Sequence, residues 1–332
     1  MRSEHPSVAE ARRLADEVLF PAASAADAAG ELPPANLDAL AAAGFYGLFA
    51  PAEVGGAGAD FATVAEVVET LASGCLATTF VLVQHFGLLR SLLLGSEPLA
   101  APWLGPMCRG ERRAGIVFAG MLPGPARVNA APLGGGAWRI DGTAPWVSGW
   151  GHVDVLQVAA RGPDETVVYA AIDAVDAAGL SVERQRLVAL DATSTVRATF
   201  DGVIVQPDRV LRVTPFDPSA SGGASLRLNG SLALGLIRRC CALLGPGPLD
   251  EELDRCRDAL DAADGHAMPA ARAAASELAW RASAAAAVTE GSASIGVGHH
   301  SSRLAREALF LLVSGSRPEI KAALLASLGA AT

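Results

Sequence analysis

Along the first third of the chain apolar residues recur at helical spacing. Val8, Ala11, Leu14, Ala15, Val18 and Leu19 predict an amphipathic helix within residues 7–29, which Pro21 interrupts or restarts. Pro33-Pro34 opens a second helix, 36–43, stopped by Gly44, and a third follows over 61–72 behind a glycine-rich turn. The longest apolar run, Leu76 to Leu94, is broken by Gln84, His85 and Arg90. It reads as a buried core helix rather than a membrane span.

Near residue 115 the period changes. Short apolar runs at 115–119, 138–140, 153–159, 166–172, 196–200 and 203–205 are bounded by Gly, Pro and Asp, the pattern of an antiparallel β domain. Asp201-Gly202, between the last two runs, reads as a hairpin turn. Helical spacing returns at Ala224, predicting helices over 225–244, 249–263, 268–290, 301–314 and 317–328. Gly245-Pro246-Gly247-Pro248 and Asp264-Gly265 separate them. Their alanine-rich faces allow the close approach of a tightly packed bundle.

Composition narrows the function classes. A chain of 332 residues can bury a sizeable core in two or three domains. Its net charge of −9 is spread over both signs with no basic stripe, which argues against nucleic acid as a partner. The cysteines, Cys75, Cys108, Cys240, Cys241 and Cys256, form no Cys-x-x-Cys pair. No zinc or other metal site and no disulfide framework is expected, and reduced thiols suit the cytoplasm. Met1 to Pro6 leads straight into the first helix, so no signal peptide is expected. The glycines at 55–58 imitate a dinucleotide fingerprint, but a helix and a proline turn precede them instead of a strand, and that reading is rejected.

The stretch that invites chemistry is Ala144-Pro145-Trp146-Val147-Ser148-Gly149-Trp150-Gly151. Its glycines let backbone approach a flat ligand, an indole can cover an aromatic ring, and a hydroxyl can bond a ring nitrogen. The same residues equally describe ordinary hairpin or core tryptophans beside a turn-forming serine.

Three further segments carry a resemblance. Gly44-Phe45-Tyr46-Gly47, with Pro51 and Gly55-Gly56-Ala57-Gly58, resembles the N-terminal helical domain of the acyl-CoA dehydrogenase family. Pro145-Trp146-Val147-Ser148-Gly149 is similar to that family's Trp-Ile-Thr-Asn-Gly flavin loop. Phe200-Asp201-Gly202-Val203-Ile204-Val205 is similar to its Phe-Asp-x-Val-x-Val pattern, and Arg303-Leu304-Ala305-Arg306-Glu307-Ala308 to its Arg-x-x-Arg-Asp-Ala signature. The resemblance spans nearly the whole chain and is thinnest over 245–300. It implies an α+β fold: an N-terminal helical domain (1–113), a middle antiparallel β-barrel domain (114–214) and a C-terminal helical bundle (222–332). It also implies an FAD-dependent, acyl-CoA dehydrogenase-like oxidoreductase acting on the CH–CH group of an acyl thioester, in fatty acid or steroid catabolism. Trp146 would lie beside the isoalloxazine and the Ser148 hydroxyl would bond it. Met121 and Leu122, where the family has an acidic, hydroxyl-rich flavin loop, could offer backbone N–H groups.

The chain departs from the family where the reaction needs a base. Aligned on Arg303, the family's glutamate falls on Gly315, and its alternative position falls within Ser225–Asn229, where no carboxylate stands. Glu319, one helical turn past Gly315, is more simply a helix N-terminal residue. Two other functions therefore stay open. One is a non-catalytic subunit that pairs with a glutamate-bearing paralogue in a heterotetramer, rather than a homodimer or homotetramer. The other is a flavin monooxygenase of this fold, using FMN or reduced flavin from a partner. For the latter, His85 and Ser148 match a histidine and serine of dibenzothiophene-desulfurising relatives, although a lone histidine in an apolar helix is ordinarily a hydrogen-bonded core residue.

Overall fold

The computed structural model describes residues 5–95, 97–122, 124–217, 222–315 and 317–330. Helix α1 (Pro6–Leu14) runs through a π-helical turn, Ala15–Leu19, into α2 (Phe20–Ala29). The wide turn stands where Pro21 would clash. A proline ring has no N–H for the carbonyl one turn back, so the chain loosens ahead of it and continues. Helix α3 (Pro34–Ala42) has Pro34 in its first turn, and α4 (Phe61–Gly74) is capped by Asp60, which accepts the Thr63 N–H at 2.8 Å. After one extended residue, Cys75, comes α5 (Leu76–Leu93). It is apolar and long enough for a bilayer, yet two-thirds of it (67%) is buried inside the protein. Helix α6 (Glu97–Cys108), with internal Pro102 and Pro106, escapes the periodicity reading.

Among the described residues eight strands follow: β1 (Ala114–Val117), β2 (Val128–Gly134), β3 (Ala137–Val147), β4 (Val155–Arg161), β5 (Thr166–Asp173), β6 (Leu180–Arg184), β7 (Val196–Val205) and β8 (Val210–Pro215). They hydrogen-bond in the order β6-β7-β3-β2-β4-β5-β8, with β1 beside β4. Pairing is antiparallel except for β1 with β4 and one residue pair, Asn129 with Arg161, between β2 and β4. The hairpin expected at Asp201-Gly202 does not exist. Strand β7 runs through it, and the register slips against Ile140 and Gly142 of β3. Gly202 takes φ +69° and donates its N–H to the Asp141 carboxylate at 2.8 Å, so turn chemistry makes a bulge here.

The helices of the last third are α7 (Gly223–Leu244), α8 (Pro248–Ala262), α9 (Met268–Glu290), α10 (His300–Val313) and α11 (Pro318–Ser327). Helix α7 lies directly on α4. A Cβ at Gly235 would stand 2.3 Å from the Glu69 carbonyl oxygen, so only glycine permits this approach. Ion pairs bind the last third to the first: Arg257 with buried Glu69 at 2.7 Å, Arg239 with Asp16 at 2.5 Å and Arg306 with Asp27 at 2.5 Å. One apolar core is continuous from Val8 through Phe200 to Leu324.

Candidate functional site

Strand β3 ends irregularly. Ala144 pairs with Ala198 and Val147 with Val196, so β3 carries one residue more than β7 across this interval. Pro145 has no N–H for the ladder, and Trp146 absorbs the extra length in a left-handed conformation, φ +64°. That geometry is rare for a bulky residue. The Trp146 N–H donates to the Gln185 side chain at 3.1 Å, and the indole stands 64% exposed. Trp150 differs: it is half-buried and packs on the core.

Beyond the bulge, Ser148 is buried. Its hydroxyl lies 2.8 Å from that of Thr195, which lies 2.8 Å from that of Thr193, which donates to the Leu190 carbonyl at 2.8 Å. The Gly149 N–H donates to the Thr193 carbonyl at 2.7 Å. The supporting loop, residues 185–195, is itself over-determined. Leu190 and Ser194 are both left-handed (φ +56° and +51°), and the Asp191 carboxylate accepts the Leu187 N–H while Arg184 and Arg186 lie within 3.5 Å of it. Sequence reading missed this loop. Its signal was the hydroxyl-rich run Thr193-Ser194-Thr195 directly ahead of an apolar strand.

The loop is also braced from both helical parts. Arg184 donates to the Gly30 carbonyl at the end of α2, and a Cβ at Gly30 would stand 2.7 Å from an Asp191 oxygen. Arg306 of α10 donates both to Asp27 of α2 and to the Val188 carbonyl.

His85 occupies a different environment. It has no exposed surface, its Nδ1 accepts the Ala114 N–H at 3.1 Å, and its ring meets Tyr46 edge-on at 5.0 Å. Burial, reinforced by the Arg113 charge and opposed by the Met107 backbone, pushes its pKa down to about 3, so the imidazole is neutral. The strand-start it pins lies next to the serine turn, because a Cβ at Gly115 would touch the Ser148 carbonyl at 3.4 Å. The fold thus brings His85 and Ser148 near one another, with the histidine on the closed side. Met121 and Leu122 are held from beneath by other partners. The Tyr169 hydroxyl donates to the Met121 sulfur, Arg161 donates to the Leu122 carbonyl, and the Met121 N–H is already taken by the Phe118 carbonyl. The Leu122 side chain is 52% exposed.

The two positions compared for a base converge. Gly315 follows α10 at φ +59°, and a Cβ there would lie 3.3 Å from the Asn229 amide nitrogen of α7. Neither residue is a carboxylate, Ser316 lies outside the described residues, and Glu319 is exposed in the first turn of α11. In the preceding helix the buried Arg303 donates from Nη1 to both carboxylate oxygens of Glu307, at 2.7 and 2.8 Å. His300 is half-buried, stacked on Phe20 at 3.9 Å and bonded to Ser24. A cavity of about 380 Å³ opens beside it, between Leu244, Ala286, Glu290 and His299, whereas Trp146 stands on an open face.

Residues 3–111 match the family model described as acyl-CoA dehydrogenase, N-terminal domain. Over 237 residues the chain is 27% identical to benzylmalonyl-CoA dehydrogenase of Aromatoleum aromaticum, covering 68% of this chain and 63% of that protein. The matched stretches span only 57% and 63% of the length of two curated relatives. Butyryl-CoA dehydrogenase of Megasphaera elsdenii superposes with a TM-score of 0.82 at 15% identity, over 97% of this chain and 96% of that one. Dibenzothiophene monooxygenase TdsC of Paenibacillus sp. A11-2 superposes with a TM-score of 0.78 at 23% identity, over 98% and 97%. That enzyme has also been solved with FMN bound.

Proposed function

This chain belongs to the acyl-CoA dehydrogenase family, and on that footing we propose that it is a flavin-dependent oxidoreductase. The observation that carries the reading is the exposed indole of Trp146, fixed by a strained bulge, with the Ser148 hydroxyl two residues on. A rigid aromatic plane beside a polar group fits a flat heteroaromatic ring with a hydrogen-bonding edge. Trp146 would cover the ring and Ser148 would hold its edge. The 185–195 loop, with Asp191 and Gln185, keeps both in register. A bound flavin supplies hydride acceptance or, when reduced, the activation of dioxygen.

The reaction class follows from what the protein side chains can do with a proton. Oxidising the CH–CH bond of an acyl thioester needs a base at the α-carbon. Asn229 and Gly315 cannot serve. That pair favours a second reading over thioester dehydrogenation: a monooxygenase of the same fold acting on a small apolar substrate, which has no need of an α-carbon base. FMN or FAD titrated into the purified protein should quench tryptophan fluorescence, and Trp146→Ala should weaken binding by about tenfold or more without changing the melting temperature. Anaerobic addition of acyl-CoA thioesters of several chain lengths should leave the flavin absorbance unbleached, and bleaching would restore the dehydrogenase. Absence of flavin binding except with a co-expressed, glutamate-bearing paralogue would instead identify a non-catalytic subunit.

A further inference from the structure

We infer that a crevice between α1, the π-helical turn, the end of α4 and α7 binds a phosphate group, carried either by inorganic phosphate or by a small phosphomonoester. The inference stands apart from the flavin reading, since none of its residues belongs to the corner at the end of β3. The crevice has a volume of about 190 Å³ and is lined by Arg12, Ala15, Asp16, Ser73, Arg238 and Arg239. Pockets for drug-sized ligands run to roughly 300–1,000 Å³, so this one suits a small group.

Close packing fixes its walls. A Cβ at Gly74 would stand 2.7 Å from the Ala15 carbonyl oxygen, so the π-helical turn is pressed against the last residue of α4. Asp16, in that turn, accepts from Arg239 Nη2 at 2.5 Å. Arg239 Nε donates to the Ser73 carbonyl at 2.7 Å, and its guanidinium lies over Phe20 at 4.0 Å. Arg239 is thus satisfied by the protein itself.

Its neighbour Arg238 lacks such a match. It is half-buried, donates to the neutral Thr70 hydroxyl at 3.0 Å, and forms no ion pair among the described residues. The carboxylates that act on it are already engaged. Asp16 is held by Arg239, and buried Glu69 accepts from Nε and Nη2 of Arg257 at 3.1 and 2.7 Å. Burial pushes the Arg238 pKa down; Glu69 opposes this, while Arg12 and Arg257 add to it. A cation drawn out of water normally has a counter-ion. Three guanidinium groups and one carboxylate line the crevice, an excess of two positive charges in a chain whose net charge is −9. A guanidinium fork matches the oxygens of a phosphate, and a dianion cancels that excess. Spanning Arg12 of α1 and Arg238 of α7, the ligand would tie the first third of the chain to the last.

The test is titration calorimetry and thermal melting of the full chain with inorganic phosphate and, in parallel, glycerol 3-phosphate, at an ionic strength held constant with chloride. At least one should bind saturably and raise the melting temperature, and the tighter of the two names the source of the group. Arg238→Gln should weaken binding by about tenfold or more. Because it removes a charge that has no counter-ion, it should leave the melting temperature in chloride alone unchanged or higher. Arg12→Gln, at the exposed rim, should also weaken binding, whereas Arg90→Gln, which removes an exposed charge from α5, should not. Absence of saturable binding by either anion, or equal affinity in the wild type and Arg238→Gln, would overturn the inference. A lower melting temperature of Arg238→Gln in chloride alone would make Arg238 a structural residue and overturn it as well. Neither result would touch the flavin reading.

Discussion

At the end of β3 an exposed indole and a buried hydroxyl are held by a bulge, a left-handed loop and a chain of hydroxyls. At the end of α10, a Cβ at Gly315 would stand 3.3 Å from the Asn229 amide nitrogen, and neither residue is ionisable. The first corner holds an aromatic plane and a hydroxyl in fixed places. The second sets side by side the two positions compared for a base, and neither carries a carboxylate. The difference separates two requirements that a working thioester dehydrogenase combines, namely holding a flat cofactor and deprotonating a substrate. On the reading proposed above, the corner at the end of β3 serves the first.

The comparison breaks hardest at the ion pair below the second corner. Glu307→Ala leaves Arg303 buried and unpaired and should cost about 3–5 kcal/mol in urea unfolding, while flavin affinity of the protein that remains folded stays as in the wild type. A cost under about 1 kcal/mol would mean the pair is ornamental. Burial pushes the Glu307 carboxyl up even as Arg303 pulls it down, so the pair is a structural anchor within α10.

A smaller effect tests the frame behind the first corner. His85 has a pKa near 3 in the fold, set first by burial and then by Arg113, against about 6.5 in an unfolded chain. Between those values the unfolded chain binds the extra proton. Stability is therefore full above about pH 6.5 and falls as pH is lowered towards 3. From pH 7 to pH 4 the loss should be about 3 kcal/mol, and His85→Leu should flatten that part of the curve. An unchanged acid limb would place the imidazole in contact with water.

The smallest effect concerns Gly315 itself. Gly315→Glu restores a carboxylate but puts a side chain at φ +59° against Asn229. It should cost about 1 kcal/mol from backbone strain and produce no bleaching of bound flavin by acyl-CoA thioesters. Bleaching would mean that only one residue separates the two corners in function.

Much of this was legible in the residues. The helices of the last third appear within a few positions of their predicted limits, because alanine-rich amphipathic runs end at Gly-Pro and Asp-Gly breaks. Strands β2, β6 and β8 were not legible. Strands β6 and β8 are the two ends of the sheet order and are largely solvated, so no apolar alternation is required of them. Strand β2 carries Pro132 and ends in exposed Leu133-Gly134, which reads as loop. Asp201-Gly202 misled because a turn-forming pair serves a bulge as readily as a hairpin. At the site, Trp146 and Ser148 stood out by type and spacing. The Thr193–Thr195 support did not, since it lies 47 positions from Ser148 and only the sheet joins them. The solvent-free surroundings of His85 were equally hidden, because a sequence says nothing of which side of β1 a ring will occupy.

One junction has a wider reach. Arg306 touches Asp27 and the Val188 carbonyl, and Gly30 leaves no room for a methyl against Asp191. Residues far apart in the chain thereby share a single keystone. A harmless-looking alanine at position 30, at the end of α2, would disturb the seat of the indole and its hydroxyl, and a truncation that removed α10 would take the same seat with it. Variants with poor colour would then arise at places where no one surveying ligand contacts would look.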